Sequence, residues 1–363
     1  MKSSRPALAT ALIAAAITVA GCAAGNTNTT QTASTTPSVS PSGPANAPAL
    51  EQAYVSVVAK VLPSVVQITS DRSLGSGIVF DTKGDIVTNA HVVGQASKFQ
   101  VRLADNPKAL PATLVGAYPP DDLAVIKLDA PPSSLHPAHL GDSSKLQAGD
   151  IVLAMGNPLG LTGSVTDGII SATDRTVTEP TSAGSPGATL PDVIQTSAAI
   201  NPGNSGGALV DLAGDVVGVP TLAAIDPQLG GSSGGASAAP GIGFAIPSNV
   251  VAYIAGQLNA HHGHVVNSHR AALGLGVVTV VDPTGAPIGA GVGTLTPAGP
   301  AATAGIRVGE VITAVNNTAV RSATRLATVL AELAPGQAVP VALTDQQGAT
   351  RTVTVTLGQL PGS

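Results

Sequence analysis

Tryptophan is absent from this 363-residue chain and aromatic residues make up only 2% of it, so a core has to be assembled from Val, Ala, Leu and Ile. Charge is sparse as well, at 10% Asp, Glu, Lys and Arg with a net of −5. No basic stripe interleaved with aromatics is present, which excludes nucleic acid as an expected partner. The single cysteine, Cys22, allows neither an intrachain disulfide nor a thiolate metal site. His261, His262 and His264 lie close together, but no neighbouring carboxylate or cysteine completes a ligand set, and no metal or other cofactor is expected.

What the chain does have is punctuation. Its 42 Gly and 29 Pro suit many short strands better than long helices, and 44% hydrophobic residues are enough for globular domains. Lys2 and Arg5 precede an apolar run, Ala7 to Ala20, of signal-peptide length and too short for a comfortable membrane span. The run ends in Val19-Ala20-Gly21-Cys22, which resembles a bacterial lipobox; acylation of Cys22 and a place outside the cytoplasm, lipid-anchored at the membrane, are what it implies. Residues 1–21 are read as a lipoprotein-type signal. Residues 22–49, rich in Thr, Ser, Asn, Pro and Ala, bury too little to fold and read as a tether.

From Leu50 the pattern changes. Leu50, Tyr54, Val57, Val58 and Val61 share one helical face, closed by Pro63. Short strands follow at Ser64–Thr69, Gly77–Phe80, Asp85–Asn89, Phe99–Leu103, Leu123–Leu128, Ile151–Met155, Thr166–Ser171, Ala208–Asp211 and Asp215–Val219. Lys83-Gly84 and Ala213-Gly214 supply hairpin turns. This spacing predicts a barrel or sandwich over residues 50–262. Thr176–Pro191 and Ala223–Pro240 read as mobile surface loops, and Pro247–Leu258 as a helix with Val250, Val251, Ile254 and Leu258 inward. Residues 263–363 form a link and a second, small α+β unit, with helices at Pro300–Ala304 and Ala323–Leu333.

Three short segments carry chemistry. In Gly203-Asn204-Ser205-Gly206-Gly207, flanking glycines let the backbone bend so that N–H groups converge beside the Ser205 hydroxyl. Gly203, Asn204 and Ser205 are the expected oxyanion segment, with the Gly203 and Ser205 N–H groups as its natural donors. His91 ends the apolar strand from Asp85 and is placed to act as base. Asp121-Asp122 stands before Leu123-Ala124-Val125-Ile126; Asp122 is favoured as the carboxylate that orients the imidazole, since Asp121 follows two prolines and reads as loop. An esterase elbow, G-x-S-x-G, fails because His and Asp precede the Ser and a hairpin, not a helix, follows it.

Thr88-Asn89-Ala90-His91-Val92-Val93, Asp122-Leu123-Ala124-Val125-Ile126-Lys127-Leu128 and Gly203-Asn204-Ser205-Gly206-Gly207-Ala208-Leu209 resemble the three signatures of the HtrA (DegP-type) proteases. Gly156-Asn157-Pro158-Leu159-Gly160, Gln195–Pro202 and Gly241–Pro247 fit the same family, in the same order, and the likeness runs from about Val55 to Leu357. The resemblance implies a mainly β protein: a chymotrypsin-like double β-barrel protease domain followed by a PDZ domain. It implies a serine endopeptidase acting on unfolded or damaged envelope proteins through His91, Asp122 and Ser205. Ile242, Gly243 and Phe244 would line a pocket for small aliphatic side chains, and the two long loops would be activation loops. Leu273-Gly274-Leu275-Gly276 would be the PDZ loop that receives peptide C-termini, with Ala272 where the family commonly has an aromatic residue. The turn from Thr69 to Gly75 is too short for the long regulatory loop of some members. A homotrimer is the family's assembly, built on aromatic contacts where this chain has only Tyr54. The same scaffold without cleavage would be a chaperone-like holder of polypeptide C-termini.

Overall fold

The computed structural model describes residues 47–71, 73–157, 163–178, 188–201, 203–226 and 237–360. Helix α1 (Ala47–Val61) starts the described chain and buries Val57 and Val61, whereas Leu50, expected on the inner face, is exposed. Six strands then close a first barrel: β1 (Val65–Thr69), β2 (Leu74–Val79), β3 (Asp85–Thr88), β4 (Lys98–Leu103), β5 (Asn106–Tyr118) and β6 (Leu123–Leu128), in the order β1-β2-β3-β6-β5-β4. Strand β5 carries few of the alternating apolar residues that reveal a strand in sequence, and was not expected.

A second barrel repeats the plan with β7 (Ile151–Gly156), β8 (Ser164–Thr178), β9 (Thr189–Thr196), β10 (Ala208–Val210), β11 (Val216–Asp226) and β12 (Ser237–Pro247), in the order β10-β11-β12-β9-β8-β7. The segments read as loops are partly strand. Residues 176–178 and 189–191 extend β8 and β9, and residues 223–226 and 237–240 extend β11 and β12, because pairing across the barrel overrides Gly- and Pro-rich composition. Residues 179–187 and 227–236, the hearts of those expected loops, lie outside the described residues, as do the signal, Cys22 and the tether up to Asn46.

The two barrels use the same turn chemistry. Asp81 Oδ1 accepts the N–H groups of Lys83 and Asp85 around Gly84 (φ +92°), and Asp211 Oδ1 accepts those of Ala213 and Asp215 around Gly214 (φ +78°). Helices α2 (Ala90–Val93) and α3 (Ser248–Ala260) complete this part. One core contains Val57 and Val61 of α1, Leu123 and Val125, Leu153 and Met155, Val210, Ile246, and Ile254 and Leu258 of α3, so it joins the barrels rather than filling either alone. Phe99 and Tyr118 are fully buried, which makes the few aromatics count.

The third sheet comprises β14 (Leu275–Val281), β15 (Pro287–Leu295), β16 (Val311–Val315), β18 (Ala338–Thr344) and β19 (Thr350–Thr356), with β17 (Thr318–Ala319) beside β16. Strands β13 (Ala271–Ala272) and β20 (Gly358–Gln359) pair separately, and α4 (Pro300–Thr303) and α5 (Ala323–Ala331) pack on the sheet. The described residues from Pro48 onward cluster as one compact unit, in which α5 lies against β8 and β9.

Arg270 ties this sheet to the barrels. Its guanidinium pairs with Asp121 at 2.7 Å and donates to the carbonyls of Pro120 and Thr189. Asp121, read as loop from its prolines, is thus a buried ion-pair partner. Burial pushes its carboxyl above the ordinary Asp value, against the pull of Arg270. A carboxyl held protonated more readily in the folded than in the unfolded chain loses stability as pH rises through that raised range. Arg270→Met removes the opposing pull, so its destabilisation should grow from about pH 4 to about pH 7, reaching about 3 kcal/mol at the neutral end. Thermal melts of both proteins at the two pH values would check this; a constant difference would count against it.

Candidate active site

One turn of helix, α2, projects His91 from the end of β3. Asp122 sits at the mouth of β6 in the left-handed region (φ +49°), which Asp tolerates better than most residues. That conformation lets its carbonyl accept from Ala90 N–H at 3.1 Å and Asn89 Nδ2 at 3.0 Å, while its carboxylate turns to the histidine. Oδ2 lies 2.8 Å from His91 Nδ1, and Oδ1 accepts the His91 backbone N–H at 2.9 Å. With the carboxylate as acceptor, the proton stands on Nδ1 and Nε2 is the basic nitrogen. Asp122 is 2% exposed, while the His91 side chain is open at 26%.

Ser205 comes to this pair through Thr221 of β11. Thr221 Oγ1 donates to Asp122 Oδ2 at 2.5 Å, and the Thr221 carbonyl accepts Ser205 Oγ at 3.2 Å. Sequence reasoning missed Thr221; a buried hydroxyl within the apolar run from Val216 to Leu222 was the available signal, since such a group demands a partner. Among the described residues neither the Gly203 nor the Ser205 N–H has an acceptor, whereas the Asn204 N–H donates to Asn201 O at 3.0 Å. Asn204 thus holds the loop, and the two free donors flank it. The loop bends through Gly203 (φ +107°) and Gly206 (φ +80°).

Ser76 of β2, also missed, reaches this loop from the other barrel: its N–H donates to Ser205 O at 3.0 Å and its hydroxyl to Gly203 O. A Cβ on Gly206 would stand 2.3 Å from Ser76 O and 2.4 Å from Thr88 Oγ1, both already hydrogen-bonded. Gly206→Ala should accordingly cost about 3 kcal/mol, from steric conflict and from strain at positive φ, read as a lower urea midpoint.

Residues 75–219 match the trypsin-like peptidase domain, and residues 291–343 the PDZ domain. The solved structure of the HtrA-type protease AlgW with a decapeptide is 31% identical, covers 85% of this chain and 99% of its own, and superposes with a TM-score of 0.55. That of the serine endoprotease from Yersinia pestis is 34% identical, covers 85% and 98%, and gives 0.55. Serine endoprotease DegS of Salmonella typhimurium is 37% identical over 293 residues, 78% of this chain and 77% of DegS. The chain belongs to the HtrA-type serine proteases. Serine protease PepD of Mycobacterium tuberculosis is 40% identical over 317 residues, 84% of this chain. The chain spans 65% of the length of PepD, and 58% and 53% of the DegP-like endoproteases of Halomonas elongata and Brucella suis.

On this HtrA-type framework the expected pocket residues occupy β12. Ile242 is exposed, Gly243 is buried with its α-carbon against Ile200, and Phe244 packs on Leu190 and Val193 of β9. A side chain at Gly243 would collide with Ile200, its Cβ standing 2.4 Å from Cγ1, so Ile200 belongs to this wall as well. In the PDZ domain, Leu273, Gly274, Leu275 and Gly276 run along one end of a groove of about 470 Å³, with Leu326 and Leu330 of α5 opposite. The carbonyls of Leu273 and Gly274 accept the N–H groups of Ala301 and Thr296, which fixes the loop from behind, and β14 is an edge strand open to pairing. Ala272 lines the same groove.

Proposed function

We propose that this chain is a serine endopeptidase in which His91, Asp122 and Ser205 form the catalytic triad. The observation that carries the reading is the two-point hold of Asp122 on His91, at Nδ1 and at the backbone N–H, with Ser205 joined to the same carboxylate through Thr221. His91 Nε2 takes the Ser205 proton as Oγ attacks a peptide carbonyl, and the charge that develops on the carbonyl oxygen meets the N–H groups of Gly203 and Ser205. His91 then protonates the leaving amine, and water repeats the two steps on the acyl-enzyme. Ile242, Gly243 and Phe244 form the pocket that selects small aliphatic side chains, with the depth limited by Ile200. The groove between β14 and α5 takes a polypeptide C-terminus on the loop Leu273–Gly276 and regulates cleavage.

Unfolded or damaged proteins of the cell envelope are the proposed substrates. The curated relatives from Halomonas elongata and Brucella suis are named as probable periplasmic endoproteases, which supports an exported site of action. No helix among the described residues is long and apolar enough to cross a membrane, and acylation of Cys22 is the proposed attachment. Cys22→Ala should abolish incorporation of a fatty-acid probe and move the protein from the membrane to the soluble fraction of expressing cells. Labelling that persists in the variant would rule this attachment out.

The protease reading is tested with the full chain in mild detergent, wild type beside Ser205→Ala, each incubated with an unfolded protein and a C-terminal peptide as activator. Fragments ending in small aliphatic residues from the wild type alone are expected by mass spectrometry. Absence of cleavage by both would leave a holder of polypeptide C-termini.

A further inference from the structure

We propose that Ser76 is a positioning residue that sets the Ser205 oxyanion donor from the opposite barrel; the inference rests on the protease reading above. Ser76 lies in β2 with no exposed surface, between Gly75 and Gly77, where a Cβ would come within 2.7 Å of Val92 at the first and of Ile68 and Ile86 at the second. The strand is thus drawn tight into its barrel, and Ser76 is anchored by it: its carbonyl accepts Thr88 Oγ1 at 2.7 Å.

From that anchor it takes hold of the nucleophile loop at two points. The Ser205 N–H belongs to the peptide between Asn204 and Ser205. The peptide before it, Gly203–Asn204, is pinned at its carbonyl by the Ser76 hydroxyl and at its N–H by Asn201 O. The peptide after it, Ser205–Gly206, is pinned at its carbonyl by the Ser76 N–H and at its N–H by Pro220 O, each at 3.0 Å. The fixed planes on either side hold the two ends of this peptide, and its own carbonyl, Asn204 O, accepts the Gly207 N–H at 2.9 Å and keeps it from flipping, so the Ser205 N–H keeps its direction. The hydroxyl also accepts the Asn157 N–H at 2.8 Å, so its one proton is committed to Gly203 and its orientation is not free. Ladder bonding of β2 to β1 uses only backbone groups and asks for no hydroxyl at this position. The side chain serves the loop, and what it protects is the preorganisation on which oxyanion stabilisation depends.

The test uses the full chain as wild type, Ser76→Ala and Ser76→Cys, the last keeping the size with a weaker donor. Three quantities are read for each: kcat, KM, and the inhibition constant of a peptide boronate whose tetrahedral adduct places an oxygen at the oxyanion position. For Ser76→Ala, kcat should fall about tenfold to a hundredfold, with KM changed less than about twofold and boronate affinity falling in parallel; Ser76→Cys should lie between. A kcat for folded Ser76→Ala within about twofold of wild type would overturn the inference. So would a loss of kcat with boronate affinity intact, because the oxyanion contacts would then be undamaged. If Ser76→Ala does not fold, the same two criteria apply to Ser76→Cys. A wild type that cleaves nothing overturns the protease reading, and the role of Ser76 with it.

Discussion

Ser205→Ala is expected to lower kcat by about a millionfold while the melting temperature stays within about two degrees of the parent. The gap between the two effects follows from the geometry. Among the described residues Ser205 Oγ makes one hydrogen bond, to the Thr221 carbonyl at 3.2 Å, and the loop around it is held by backbone groups of Ser205 itself, Gly206 and Ser76 that alanine retains. Removing the oxygen removes the bond-forming atom and little packing. The residual rate over water would come from substrate binding and the oxyanion donors. Single-turnover hydrolysis of a peptide ester measures the drop, and calorimetry the stability. A loss of less than about a thousandfold would mean another group attacks the carbonyl.

Asp122→Asn should reduce kcat by about ten-thousandfold near neutral pH, with the backbone arrangement preserved. Both carboxylate oxygens are acceptors here: Oδ1 from the His91 N–H, Oδ2 from Nδ1–H and from Thr221 Oγ1. An asparagine has one acceptor and one NH₂. Its oxygen can satisfy the His91 N–H, which turns the NH₂ toward Nδ1, forces that nitrogen to accept, and moves the imidazole proton to Nε2, where the base is needed. The neighbouring Asp121→Asn is the informative control. That carboxylate faces Arg270, so its loss should change stability while kcat stays within a few-fold. Equal losses of kcat at both positions would dismiss the assigned division of roles.

How much of this was legible beforehand depends on the range over which each signal acts. His91, Asp122 and Ser205 stand in short segments whose glycines, strand ends and order speak locally, and the Asp-Gly turns at Asp81–Gly84 and Asp211–Gly214 are equally local. Strand β5 and the outer parts of β8, β9, β11 and β12 were not legible, because they are stabilised by pairing with distant strands and their own composition is mixed or turn-like. Asp121 shows the limit most plainly. Its prolines point to a loop and give no sign of burial, yet it is buried against Arg270, far along the chain.

The classes of residue available for chemistry, the strand-rich architecture and the family are therefore legible in residue order alone. Tertiary structure decided what those residues touch. That Thr221 links Ser205 to Asp122, that Ser76 reaches from one barrel to the loop of the other, and that Ile200 closes over Gly243 are contacts between residues remote in sequence. Hydrogen bonds and packing act over a few ångströms of space, and only the closing of both barrels brings these atoms within that distance.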